Sequence, residues 1–242
     1  MKRLFIADVH ANLPAFEAVL RDAGTVDETI FLGDILDFGP HPAACVDRLQ
    51  RLNARAILGN HDLAILAREG NPVMPSDFLD WGEWTYGRLT PAQLRYLRSL
   101  PRELNIESCG LQTTVIHQLP SAPYLYPTMS DDILAHFLGD VPGRAVYCGH
   151  CHYLIDRALN GRRLVCFPPV GQSRNGDPRA GYAIEEDGRL QFRFVRYDIE
   201  TVVADIKKIG LPELFCERWI RFLRTGFDQE WSRIPASKGV IE

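Results

Sequence analysis

Four short segments, Asp8-Val9-His10, Gly33-Asp34, Gly59-Asn60-His61-Asp62 and Gly149-His150-Cys151-His152, hold four of the chain's seven histidines, and the first three each add a carboxylate. A fifth histidine, His117, stands alone between the last two segments. Each segment follows a strand-like run, so the donors act together only in a fold that gathers several strand ends in one place. Mixed imidazole and carboxylate donors suit Mn, Fe, Zn or Ni, whereas an all-oxygen cage suits Ca or Mg.

The first third alternates strand and helix. Lys2 to Ala7 reads as a strand, Leu13 to Asp22 as a helix with Pro14 in its first turn, and Glu28 to Leu32 as a second strand. A helix opening near Pro42, a strand over Arg55 to Leu58 and a helix over Asn60 to Arg68 complete a β-α-β-α-β-α series. In open α/β sheets ligands bind at the carboxyl ends of strands, where these donors fall. The stretch Gly70 to Leu89 breaks the alternation and reads as either a helical excursion or a loop over the site.

From Arg102 the pattern turns β-rich, with strands expected at Arg102 to Glu107, Leu111 to His117, Arg144 to Cys148, Tyr153 to Leu159, Arg163 to Phe167, Gly181 to Glu185 and Leu190 to Arg196. Asn160-Gly161 and Asp187-Gly188 are hairpin signals, and Ser130 to Phe137 reads as a helix. A second sheet is therefore expected. The 242 residues, 46% hydrophobic, suit one domain over 1–242, with a C-terminal helical segment, about 198–224, packed on it. That tail, with helices at Ile199 to Ile209 and Pro212 to Leu223 and with Leu211, Leu214, Phe215, Trp219, Phe222 and Leu223 available for burial, can cap the sheet, close the pocket or pair subunits into a homo-oligomer.

Asp8 and His10, two apart, can point the same way from a strand end. Asp34 is the natural bridge, because a carboxylate can join two cations roughly 3.5–4 Å apart. His150 and His152 can each turn to a different ion, with Asn60 and His117 completing the ligand set of the second ion. His61 is then left beside the ligands, placed to donate a proton to a leaving oxygen, with Asp62 to orient it.

These segments resemble the motifs of the calcineurin-like metallophosphoesterases: Asp-x-His, Gly-Asp-x-x-Asp, Gly-Asn-His-Asp/Glu, a lone His and Gly-His-x-His, in that order. The resemblance implies a four-layer α/β/β/α sandwich of two mixed β-sheets flanked by helices, and two divalent metal ions. It places one ion on Asp8, His10, Asp34 and His152, and the other on Asp34, Asn60, His117 and His150. It further implies phosphoester hydrolysis by attack of a metal-bridging hydroxide on phosphorus. The run Gly171 to Arg179 resembles a segment of the compact bacterial and archaeal branch and offers Arg174 and Arg179 to phosphate.

Two departures bear on the substrate and on turnover. Protein phosphatases of the superfamily read Asp-Arg-Gly-Pro where this chain has Asp37-Phe38-Gly39-Pro40, and the lone histidine is followed by Gln118 in place of the usual Gly. The expectation is an enzyme acting on small phosphodiesters or phosphomonoesters rather than a protein phosphatase. The alternative from another class is a metal-binding scaffold or regulatory protein of the same fold without turnover.

Bulk properties exclude other classes. With 27 Lys+Arg against 31 Asp+Glu the formal charge is -4, so nothing global attracts a nucleic acid duplex. No apolar run reaches the ~20 residues of a membrane span, and Met1-Lys2-Arg3 leads into a run broken by Asp8 rather than into a secretory signal, so a cytoplasmic location is expected. The six cysteines are dilute and are expected as reduced thiols. Cys148-Gly149-His150-Cys151 is a C-x-x-C, but the strand-like run that follows offers no helix start to activate a thiol. His41 and His136 fit no motif.

Overall fold

The computed structural model describes residues 1–67, 77–122, 124–139, 141–211 and 213–227, the side chains of 77–80 and 215 excepted. Arg68, the 70–76 part of the stretch left open above, Pro212 and the Phe215 side chain lie outside that description. The first half runs β1 (Arg3–Ile6), α1 (Leu13–Ala23), β2 (Glu28–Phe31), α2 (Pro42–Arg51), β3 (Arg55–Ala56), α3 (Asn60–Ala67), α4 (Asp77–Gly87) and α5 (Pro91–Ser99). Next come β4 (Glu103–Ser108), β5 (Leu111–Ile116), α6 (Asp131–Leu138), β6 (Ala145–Cys148), β7 (Ile155–Leu159), β8 (Arg162–Cys166), β9 (Ala180–Glu186) and β10 (Arg189–Val195). Helices α7 (Ile199–Ile209) and α8 (Glu213–Thr225) follow.

The early alternation has the expected order, with two differences. β3 is shorter than the expected Arg55 to Leu58, because the Leu58 amide donates to the Pro101 carbonyl (2.9 Å) and leaves the sheet. α5 is an element the sequence reading lacked. Its start is fixed by a capping box in which Thr90 and Gln93 satisfy each other's backbone amides.

The strands form two mixed sheets, ordered β10-β9-β1-β2-β3 and β4-β5-β6-β8-β7. In the first, β1, β2 and β3 are parallel and β9 returns antiparallel on β1. In the second, β5, β6 and β8 are parallel. Alternation along β1 builds the layers. Leu4 and Ile6 pack with Phe16, Val19, Leu49 and Leu97 of the helices, while Phe5 and Ala7 face Tyr147 and Phe167 of the opposing sheet. Beyond the second sheet, Val146, Cys148, Leu164 and Cys166 meet Leu134 and Leu138 of α6. This is the α/β/β/α sandwich.

Between the sheets Phe5 stacks on Phe167 (5.2 Å between centroids) and lies edge-on to Tyr147 (5.5 Å), fixing how the two rims meet. α7, capped by Asp198 and ended by Gly210 in a left-handed conformation (φ 82°), joins α8 in an apolar cluster with Phe38. Among the described residues no helix is long and apolar enough to cross a membrane. Phe167 is fully buried, so Phe167→Ala is expected to destabilise the metal-free chain by about 3–5 kcal/mol in urea unfolding; a loss under about 1 kcal/mol would show that the sheets do not depend on this contact.

Candidate metal centre

The parallel strands of both sheets end at one rim. Asp8 and His10 follow β1, Asp34 follows β2, Asn60 and His61 follow β3, His117 follows β5, and His150 and His152 follow β6. Backbone bonds between the loops lock them together: the Asp8 amide donates to Gly33 (3.0 Å), Gly149 to His117 (3.0 Å), and Gly171 to Asp8 (2.8 Å), the last crossing between the sheets.

Sharp turns are needed to aim so many side chains at one point. Asp8, His10, Ala11, Asp34, Asp37, Phe38, His150 and His152 all have positive φ, eight of the twelve such non-glycine residues among those described. Such conformations cost on the order of 1–3 kcal/mol each and persist only where the surroundings enforce them. The motif glycines serve close approach. A Cβ on Gly59 would lie 2.0 Å from Asp34 Oδ1, and one on Gly149 would lie 2.7 Å from Asp8 Oδ2.

The structure brings all seven expected donors together. Asp8, His10 and His152 form one group of potential ligand atoms, and Asp8, Asp34 and His117 form a second. Asp8 is common to both groups, and Asp34 Oδ2 lies 3.9 Å from His10 Nε2 and 3.0 Å from His117 Nε2. Asn60 Oδ1 is 3.0 Å from His117 Nε2 and 2.8 Å from His150 Nδ1. Three rings are oriented from behind, with Nδ1 of His10, His117 and His152 against the carbonyls of Leu36 (3.1 Å), Leu32 (2.8 Å) and Gln172 (2.6 Å).

Two observations fit this set to cations. With Nδ1–H of His10 and of His152 each given to a carbonyl, both Nε2 atoms present lone pairs, yet they face each other at 3.1 Å. A cation relieves that repulsion. Asp34 Oδ2 is buried and accepts no hydrogen bond; the nearby His117 Nε2, at ion-pair distance, is off the line of one.

The electrostatics agree. Burial, reinforced by the His152 ring, holds His10 well below the ordinary imidazole range, and burial with Arg174 does the same for His152, so both are neutral and able to ligate. Burial would push Asp34 up, but His117, His61 and His10 outweigh it and hold it well below the usual carboxylate range. Burial would lower His117, yet Asp34 and Asp8 raise it to about 10 in the metal-free protein.

His61 lies beside the donors, and its partner is not the one expected. Nδ1 meets Asp37 Oδ2 at 2.7 Å, whereas Asp62 accepts the backbone amides of Asp34 (2.9 Å), Leu36 (3.0 Å) and Gly59 (3.0 Å). Asp62 therefore ties two rim loops together, and Asp37 orients the ring. The signal was present, since Asp37 is the second aspartate of Gly-Asp-x-x-Asp. Arg174 is buried near the centre, bonded to the Tyr124 hydroxyl and to Gln172 Oε1 (3.0 Å), and Tyr124 packs on the His150 ring (5.5 Å). Tyr124 carries no motif, and Gln172 lies in the Gly171 to Arg179 run, where the sequence assigns it no role of its own. Arg179 is held in an exposed ion pair with Asp177 and over the Phe194 ring, outside the donors' hydrogen-bond network among the described residues. Cys148 and Cys151 are free thiols; burial pushes Cys151 well up, and no helix starts there.

The model of the calcineurin-like phosphoesterases matches residues 1–154, which contain every donor named above. The chain belongs to the calcineurin-like phosphoesterase family. Membership makes it a metal-dependent phosphoesterase in general kind, and the family typically binds a dinuclear centre. The chain is 30% identical over 240 residues to an uncharacterized protein, MJ0912, of Methanocaldococcus jannaschii, covering 88% of this chain and 95% of that one. A metallophosphoesterase from Sphaerobacter thermophilus is 35% identical, with a TM-score of 0.78 over 93% of this chain and 100% of the other. Hypothetical protein PH1004 from Pyrococcus horikoshii OT3, 20% identical, shares the fold, with a TM-score of 0.81 over 93% and 98%.

A ligating imidazole must be neutral, and His117 keeps its proton up to a pH of about 10 without metal. Metal loading is therefore expected to release a proton and to tighten by about tenfold per pH unit for each proton released between about pH 6 and pH 8. Calorimetry in buffers of differing ionisation enthalpy reads this directly, and pH-independent binding without proton release would contradict it.

Proposed function

We propose that the chain hydrolyses small phosphodiesters or phosphomonoesters with two divalent ions drawn from Mn, Fe, Zn or Ni. The observation that carries this reading is His61, held by Asp37 at 2.7 Å, directly beside seven converging donors. Asp8, His10, Asp34 and His152 would hold one ion and Asp34, Asn60, His117 and His150 the other, with Asp34 shared. Ions bound there lower the pKa of water and neutralise charge on phosphoryl oxygens.

The chain's own groups supply the rest. Asp37 fixes the His61 ring through Nδ1, and burial is outweighed by Asp34 and Asp37 so that the ring's proton affinity rises. Its Nε2 is then the nitrogen that gives a proton to the leaving oxygen, a role worth about 10²–10⁴-fold. Arg174, kept in place by Tyr124 and Gln172, offers its guanidinium to the phosphate. Phe38 stands where the related protein phosphatases carry arginine. Asp8, His10, Asp34, His117 and His152 are buried, leaving only Asn60 and His150 half-exposed among the donors. Both features favour a small ester over a protein segment.

Turnover of bis-p-nitrophenyl phosphate, p-nitrophenyl phosphate and 2′,3′-cyclic nucleotides, with Mn, Ni, Zn and Mg compared, tests the reading. Hydrolysis of at least one ester, abolished by chelation, is expected. Asp34→Asn should lower both metal content and turnover, whereas His61→Ala should keep the ions and lower kcat by about 10²–10⁴-fold. Bound ions without hydrolysis across the panel would favour the non-catalytic scaffold.

A further inference from the structure

The geometry points to Trp219, on the C-terminal helix α8, as a positioning residue for His61 that acts through Phe38; this rests on the phosphoesterase reading above. Phe38 is buried in the loop after β2, its ring 4.8 Å from that of His61 and 5.2 Å from that of His10. Trp219 stacks on Phe38 at 4.7 Å and 23°, and Phe222 stacks on Trp219 at 5.5 Å and 9°. The His61 ring is thus confined by Phe38, by the edge of His10 (5.0 Å, 87°) and by Asp37 at Nδ1.

Asp37 and Phe38 form one device. The Phe38 amide donates to Asp37 Oδ1 (2.9 Å) while Oδ2 takes His61, and both residues have left-handed backbone, φ 73° and 63°. A bulky residue stays in that region only when its neighbours enforce it. Here Trp219 stacks on the Phe38 ring, and Phe38 shares one apolar cluster with Trp219, Ile220 and Leu223 of α8 and Val202, Val203 and Ile206 of α7. These helices lie beyond residue 154, where the family match ends. A proton donor must be held within about 0.5 Å and 10–20° of its productive pose, so removing the Trp219 face frees Phe38 and loosens the imidazole.

In the step concerned, a water oxygen that has given one proton to solvent bonds to phosphorus as the P–O bond to the leaving group breaks, its electron pair passing to the leaving oxygen, which takes the His61 Nε2 proton. The need for the proton grows with the basicity of the leaving group. The test compares p-nitrophenyl and phenyl esters of one phosphodiester on the metal-loaded full chain. Trp219→Leu is expected to lower kcat on the phenyl ester roughly tenfold or more while changing the p-nitrophenyl ester by less than about twofold, with KM and metal content unchanged. Trp219→Phe should restore most of the loss. Long-range ¹H–¹⁵N spectra of the metal-free protein give a readout besides activity: one defined His61 ring state in the parent and an averaged or broadened one in Trp219→Leu.

Equal losses on the two esters, no loss on either, or an unaltered His61 ring spectrum would each overturn the assignment. Should Trp219→Leu fail to fold, Phe38→Leu carries the same comparison with the same readings. If the parent hydrolyses neither ester, the ring spectrum alone decides whether Trp219 holds His61, and the phosphoesterase reading falls only if no ester of the panel above is turned over.

Discussion

Asp8 and Asp34 are wholly buried side by side at the rim of the sandwich, and the rest of the site answers to that fact. Burying a carboxylate costs several kcal/mol unless positive charge and hydrogen bonds meet it. The two respond in opposite senses: burial leaves Asp8 raised, whereas the imidazoles around Asp34 hold it ionised. In the metal-free chain the His117 proton supplies part of the missing positive charge. On the proposed metal reading a cation supplies that charge instead, and the His117 ring must give up its proton to ligate it, so metal affinity and proton release are one event.

Gathering these groups requires a backbone that would not hold its shape alone. Left-handed turns at Asp8, His10, Asp34, His150 and His152 are stable because the strands beneath them are rigid. The Phe5, Tyr147 and Phe167 contacts between the sheets carry that rigidity from one rim to the other. Inter-loop bonds such as Gly171 to Asp8 then join the two sets of loops into one unit. The core is therefore part of the site's precision.

Much of this was legible in the sequence because the donors sit in short motifs after short continuous apolar runs, a pattern with few structural solutions. Asp8, His10, Asp34, Asn60, His117, His150 and His152 all fall where their spacing after a strand placed them. What escaped depends on distance along the chain or on groups without identity. The carbonyls of Leu32, Leu36 and Gln172 that orient three rings are backbone atoms that any residue can provide. Asp62 adjoins His61 in the sequence whereas Asp37 precedes it by 24 residues, and only the turn at Asp37 brings the distant carboxylate to the ring. α5 was readable from Thr90-Pro91-Ala92-Gln93 but lay between two stronger patterns. The packing of α8 on Phe38 joins residues from opposite ends of the chain, and no local pattern announces it.

Position 38 shows how one side chain redistributes tasks across the cleft. An arginine in this loop would place cationic charge beside His61 and compete for Asp37. A phenylalanine leaves the Asp37 carboxylate to His61 and to its own amide, and presents an apolar face that α7 and α8 can cover. Arg174, the guanidinium proposed to meet phosphate, comes from the other sheet, in the loop after β8, braced by Tyr124 and Gln172. The proposed proton donor, His61, and the proposed anion grip, Arg174, are thereby held by different sheets, and the same two-sheet contact that positions the rim loops sets the distance between them.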